Sequence, residues 1–238
     1  MKILVFQHAA CEHPGSFRDV IAAGGHSLHA VELDEGEPIP PLAGYDALLV
    51  MGGPMDVWET DKHPWLVDEL AAIAAWVSAG RPYLGMCFGA QLLAQACGGA
   101  VGLMAGPPEV GLSQVALLAP NPLFTGLPEA CPCFQWHSAE VLLLPPGAQL
   151  LATSPACRVQ AFSLGDAAYG LQFHLELTET TAAEWGAIPE YAAALERVQG
   201  PGAMPALEAE LARNFGPLRD AAHQVIGNFL EIAAKVLA

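Results

Sequence analysis

Gly85-Met86-Cys87-Phe88-Gly89-Ala90-Gln91 follows the apolar run Pro82 to Met86 and leads directly into Leu92-Leu93-Ala94-Gln95-Ala96. A short apolar run, a glycine-flanked corner and a helical pattern read as a strand that turns sharply into a helix. The glycines on either side of the corner let the chain bend tightly. A cysteine stands at the corner itself. A thiol at a helix N-terminus faces free amide groups and the positive end of the helix dipole, which favour the reactive thiolate. The segment predicts a strand-turn-helix unit that holds Cys87 out toward solvent as a nucleophile.

Working outward, the same rhythm repeats. Lys2 to Gln7 reads as a strand, Ser16 to Ala23 as a helix ended by Gly24-Gly25, and Ser27 to Leu33 as a second strand. Tyr45 to Met51 is a near-continuous apolar run bounded by Gly52-Gly53-Pro54. In Trp65 to Ser78, Leu66, Leu70, Ile73 and Val77 recur at helical spacing. Strands apolar on both faces, alternating with helices, argue for a parallel sheet covered on both sides. In such sheets ligands bind beyond the carboxyl ends of the strands, where Gly52-Gly53 and Cys87 both fall.

The middle of the chain changes character. Gly111 to Leu118, Cys133 to Leu144, Gln149 to Ala152, Val159 to Ser163 and Ala168 to Phe173 read as strands of an antiparallel or mixed extension. From 178 to 238 the chain is alanine-rich and helical. A helix over Glu179 to Val198 is interrupted near Pro189, and Gly200-Pro201-Gly202 breaks the chain before helices over Pro205 to Asn214 and Pro217 to Leu237. With no repeat or low-complexity linker, residues 1–238 read as one domain carrying this helical extension.

The formal net charge of −16, from 9 basic and 25 acidic residues, argues against nucleic acid and anionic membrane as partners. No apolar stretch reaches the roughly 20 residues of a spanning helix, and the opening run is too short for a signal peptide, so a cytoplasmic location is expected. The six cysteines, Cys11, Cys87, Cys97, Cys131, Cys133 and Cys157, show no zinc-finger spacing with histidine, so neither a metal nor any other cofactor is expected. Cys97 reads as a buried, inert thiol on an apolar helix face.

A thiolate nucleophile needs a base. In Gly170-Leu171-Gln172-Phe173-His174-Leu175-Glu176, extended backbone puts His174 and Glu176 on one side, so the carboxylate can accept from the ring and set its tautomer. Cys87, His174 and Glu176 then form a candidate nucleophile-base-orienter set. Gly53, lacking a Cβ, can bring its backbone N–H to a carbonyl under attack and join the Phe88 N–H in an oxyanion site.

Three separated motifs, Gly52-Gly53-Pro54, then Gly85-x-Cys87-x-Gly89-x-Gln91, then Gly170-x-Gln172-Phe173-His174-x-Glu176, resemble the class I (triad) glutamine amidotransferases. A fourth run, His137-Ser138-Ala139-Glu140-Val141 with Leu144-Pro145-x-Gly147, is similar to the amidotransferase half of GMP synthetases. The resemblance covers Tyr45 to Leu177. It implies a flavodoxin-like α/β fold and hydrolysis of the glutamine side-chain amide through a γ-glutamyl thioester on Cys87. It also implies an oxyanion hole at Gly53 and Phe88, and substrate contacts from Gly52, Gln91, Trp136, His137 and Ser138.

Two positions depart from the family pattern. Leu175 replaces the usual proline, which is expected to loosen the turn, and Ala139 stands where an acidic residue often follows the His-Ser pair. Nothing in the chain looks like a synthase domain that would receive ammonia. The first expectation is therefore an amidohydrolase acting on glutamine or another γ-glutamyl compound, working alone or as a homodimer. The alternatives are a glutaminase subunit switched on by a separate synthase partner, and a non-catalytic or redox-sensing module of the same fold.

Overall fold

In the computed structural model, which describes residues 1–238, the apolar runs of the first half become β1 (Lys2–Gln7), β2 (Ser27–Glu32), β3 (Ala47–Val50) and β4 (Tyr83–Met86). Their connections carry α1 (Phe17–Ala23) and α2 (Trp65–Ser78), and β4 runs into α3 (Phe88–Ala96). The middle contributes β5 (Ala100–Leu103), β6 (Glu109–Leu117), β7 (Ala130–His137), β8 (Ala139–Leu143), β9 (Ala148–Thr153), β10 (Ala161–Leu164) and β11 (Ala168–Leu171).

Nine strands form one sheet in the order β2-β1-β3-β4-β11-β10-β9-β6-β7. The first five are parallel, in the 2-1-3-4-5 order of flavodoxin-like sheets with β11 as the fifth strand. The remaining four add antiparallel to β11. Every residue of β3 and β4 is buried, because helices cover both faces. Alternate residues sort the core into two layers. Ile3, Val5 and Leu49 pack against Phe17 and Ile21 of α1, while Leu4, Phe6 and Leu48 pack against Leu66 and Ile73 of α2 and Leu92 of α3.

The run expected as one strand over Cys133 to Leu144 is two. The chain leaves the large sheet at Ser138, and β8 pairs instead with β5, a short strand that the sequence pattern does not reveal. The C-terminal segment forms α4 (Thr181–Gly186), α5 (Pro189–Gln199) and α6 (Met204–Val236). Contrary to expectation, Pro217 lies inside α6 and does not divide it. Proline removes one backbone donor and strains the preceding turn, but both halves of α6 are anchored by burial. Leu207, Leu211 and Leu218 pack on Phe134, Trp136 and Trp185, while Val225, Ile226 and Phe229 enter the main core. No helix is long and apolar enough to cross a membrane.

Candidate active site

The corner between β4 and α3 is built by close backbone packing. A Cβ on Gly89 would fall 2.1 Å from the Val50 carbonyl oxygen, and one on Gly85 would fall 2.5 Å from the Gly89 carbonyl. Between them Cys87 takes φ +48° and ψ −102°, the one non-glycine residue with positive φ. Such backbone costs about 1–3 kcal/mol and persists only where the surroundings impose it. Here the Cys87 amide donates to the Leu171 carbonyl at 2.7 Å, and the Cys87 carbonyl accepts from Ala90 and Gln91. The thiol is not held out to solvent as expected: Cys87 is 5% exposed, because the C-terminal helices lie over it.

His174 follows β11, where a bridge to Phe134 keeps the backbone extended past the strand end. Its Nδ1–H donates to Glu176 Oε1 at 2.6 Å, and both side chains are buried. Burial pulls the His174 pKa down, but Glu176 and then Cys87 more than offset it, so it is held well above its ordinary value. Cys87 is thus an immediate neighbour of the ring whose Nδ1 is taken by Glu176. Leu175 does not loosen this turn. Its N–H, which a proline would lack, donates to Glu176 Oε2 at 2.9 Å, and its side chain is fully buried.

Gly53 and Phe88 line the same cavity as Cys87. The Gly53 amide makes no backbone hydrogen bond, and Phe88, first in α3, has no intrahelical acceptor for its own. Gly52 lies just behind, where a Cβ would fall 2.4 Å from Glu12 Oε2 and 3.1 Å from the His174 ring. Below this turn is a pair that no sequence spacing signals. His8 donates from Nδ1 to the Gly52 carbonyl and from Nε2 to Glu69 Oε1, each at 2.9 Å. Both partners only accept, so the ring holds both hydrogens and is an imidazolium paired with the Glu69 carboxylate. Burial lowers the His8 pKa, but Glu69 outweighs it and the pKa is raised.

The cavity, about 70 Å³, is also lined by Gln91, Trp136, His137, Ser138 and Ala139, with Asp56 at one side and Glu190, Tyr191 and Ala194 of α5 above. Among the expected substrate contacts, several polar groups are already engaged. Gln91 donates to the Ala139 carbonyl and to Gln172 Oε1, both at 3.2 Å, and Gln172 in turn donates to the Cys87 sulfur at 3.6 Å. The Trp136 indole donates to the Tyr191 carbonyl, while its own carbonyl stands 3.9 Å from Cys87 Sγ. His137 turns Nδ1 to the Ala139 carbonyl and Nε2 toward Glu109.

The helical extension closes over the catalytic-type dyad. The Trp185 ring meets His174 edge-on at 4.5 Å, its indole donates to the Cys11 carbonyl, and Tyr191 reaches the buried Glu12. Burial raises the Glu12 pKa, and its Oε2 has no protein partner. Gln172 was legible as part of a motif. Nothing local distinguishes Glu12, Glu69 or Tyr191 from surface residues. Cys97, expected to be buried, is half-buried.

The family described as Glutamine amidotransferase class-I matches residues 17–185 of this chain. The amidotransferase-type polypeptide of a two-chain GMP synthase (glutamine-hydrolyzing) from Sulfurisphaera tokodaii is 34% identical over 64% of this chain and 79% of its own length. Gamma-glutamyl peptidase 3 of Arabidopsis thaliana is 30% identical over 56% of this chain and 55% of its own. The match to the glutamine-hydrolyzing GMP synthase of Aeropyrum pernix, 38% identical, spans 63% of this chain but only 28% of that longer protein. A glutamine amidotransferase from Thermotoga maritima superposes with a TM-score of 0.87, at 28% identity, over 97% of this chain and 98% of that one.

Proposed function

Since the chain belongs to the class-I glutamine amidotransferase family, we propose that it cleaves the γ-amide of glutamine or of a related γ-glutamyl compound, with Cys87 as nucleophile. The observation that carries this reading is the adjacency of a strained, buried thiol to a histidine whose other nitrogen is held by Glu176.

In the proposed reaction Cys87 Sγ attacks the amide carbon, and the developing oxyanion takes hydrogen bonds from the Gly53 and Phe88 amides. His174, holding the proton on the nitrogen that faces sulfur, gives it to the departing ammonia or amine. A γ-glutamyl thioester remains. His174 then takes a proton from water as the water attacks, and glutamate leaves with regeneration of the thiol. Glu176 fixes the tautomer and balances the imidazolium charge. The His8–Glu69 pair acts one layer further out, holding the Gly52 carbonyl so that the following amide faces the cavity.

Two resemblances frame the alternatives for the amine side. One relative is named a peptidase, and another is a synthase subunit. A glutaminase subunit switched on by a separate synthase is the second reading. It is favoured by the cover that Tyr191 and Trp185 place over the dyad, which a docking partner could shift. Incubation with glutamine and a panel of γ-glutamyl amides, followed by intact-mass measurement, tests both readings. The expected result is a glutamyl adduct on Cys87 that is absent in Cys87→Ser. Adduct formation only after a synthase is added selects the second reading, and no adduct under either condition would falsify the enzymatic assignment.

A further inference from the structure

Behind the wall formed by Trp136 and His137, three side chains of metal-ligand type converge from separate parts of the chain. Glu109 opens β6, His137 ends β7, and Cys157 lies in the turn between β9 and β10. One ligand-type atom from each lies within 4.8 Å of the other two. His137 and Cys157 are buried, whereas the Glu109 side chain is 14% exposed and leaves an approach from solvent.

The orientation of His137 is informative. Its Nδ1 lies 2.9 Å from the Ala139 carbonyl, which can only accept, so the hydrogen of the neutral ring resides there and Nε2 presents a lone pair. Glu109 Oε2 stands 3.2 Å from Nε2, yet it lies too far off the ring's bonding direction for a hydrogen bond, and Nε2 has no partner. A buried imidazole with one nitrogen fixed on a carbonyl and the other unused is the usual posture of a metal-bound histidine.

The neighbours are held in the same manner. Glu109 accepts from Gln160 Nε2 at 2.7 Å and from the Ser154 hydroxyl at 3.3 Å. The Cys157 turn is closed by its amide on Ser154 Oγ at 3.0 Å and by the Ser154 amide on its carbonyl at 2.9 Å. Burial, with Glu140 and Glu109 beside the sulfur, pushes the Cys157 thiol far up. Neither carboxylate has a lysine or arginine partner. Acidic groups gathered around a buried thiol without a cation form a charge arrangement that a divalent ion would complete.

We propose that Glu109, His137 and Cys157 bind a zinc ion. Thiolate, imidazole and carboxylate together suit zinc better than calcium or magnesium. A tetrahedral ion with nitrogen and oxygen at about 2.0–2.1 Å holds those two atoms about 3.3 Å apart, close to the 3.2 Å found here. Glu140 of β8 or a water takes the fourth position. On binding, the Cys157 S–H bond breaks, the sulfur electron pair goes to the metal and the proton passes to solvent. The ion would tie β6, β7 and β8 together behind the residue whose carbonyl faces Cys87, and it stands whether or not Cys87 is a nucleophile.

Metal-stripped full-length protein titrated with Co²⁺, then with Zn²⁺, tests the site. The expected result is one tightly bound Co²⁺ per chain with an intense thiolate-to-cobalt band in the near ultraviolet, displaced by Zn²⁺. The band is lost in Cys157→Ser and kept in Cys87→Ser. Glu109→Gln, at a partly exposed position, weakens Zn²⁺ binding by about tenfold or more and covers the case in which Cys157→Ser fails to fold. Absence of the band in the wild type, its survival in Cys157→Ser, or unchanged Zn²⁺ affinity in Glu109→Gln overturns the proposal.

Discussion

The Tyr191 hydroxyl of α5 donates to Oε1 of Glu12, a carboxylate buried beside the His174–Glu176 pair and 179 positions away in the chain. This bond, with the Trp136 indole on the Tyr191 carbonyl, joins the helical extension to the floor of the cavity. Tyr191→Phe leaves both Glu12 oxygens without a protein partner. Because an orphaned buried acceptor costs about 1–3 kcal/mol, the variant should unfold at lower urea concentration. Its Cys87 should also be alkylated faster than in the wild type as α5 loosens.

Strain at the corner gives a second expectation. Cys87 sits at φ +48°, ψ −102°, a region that glycine enters freely and alanine does not. Cys87→Gly and Cys87→Ala both remove the thiol, but only the former releases the backbone. Cys87→Gly should therefore be the more stable by about 1 kcal/mol, as read from chemical denaturation. Equal stability would show that the corner is unstrained.

Leu175 separates two roles of one residue. Leu175→Ala keeps the amide that donates to Glu176 and removes only the buried side chain. It should cost about 2–5 kcal/mol in stability with the turnover of the folded enzyme retained. Leu175→Pro removes the amide as well, so its kcat should fall about tenfold below that of Leu175→Ala, the equivalent of about 1.4 kcal/mol. Steady-state kinetics on both variants checks this.

Stability should fall on the alkaline side. His8 and His174 both have folded-state pKa values raised above the ordinary 6.5, so between the two values the folded protein binds more protons than the unfolded chain. Their contribution is complete below pH 6.5 and is lost as pH climbs through the folded values. Urea midpoints measured from mildly acid to alkaline pH should decline, and His8→Asn should flatten the decline. A midpoint that rises with pH would reverse the sign of this linkage.

Much of the architecture was legible because it is local. The parallel strands announce themselves as short apolar runs, α2 by its spacing, and the β4–α3 corner by its glycines. The closeness of His174 and Glu176 follows from the two-residue period of extended chain. Reading failed where local rules met long-range packing. Pro217 is a helix breaker by itself, yet burial on both sides carries α6 through it. Ser138 divides one apparent strand between two sheets because β5 offers β8 a partner.

The strand and helix order, the corner bearing Cys87 and the His174–Glu176 pair were therefore written in the chain itself, since each depends on residues a few positions apart. Long-range packing supplied the rest. It buried the thiol beneath α5, set the His8–Glu69 ion pair under Gly52, and brought Glu12 to Tyr191 and Glu109 to His137 and Cys157. These groups meet across long stretches of chain, so no spacing records them. Their protonation and bonding come from removal of water by the assembled core, which does not exist until the sheet and its helices have closed.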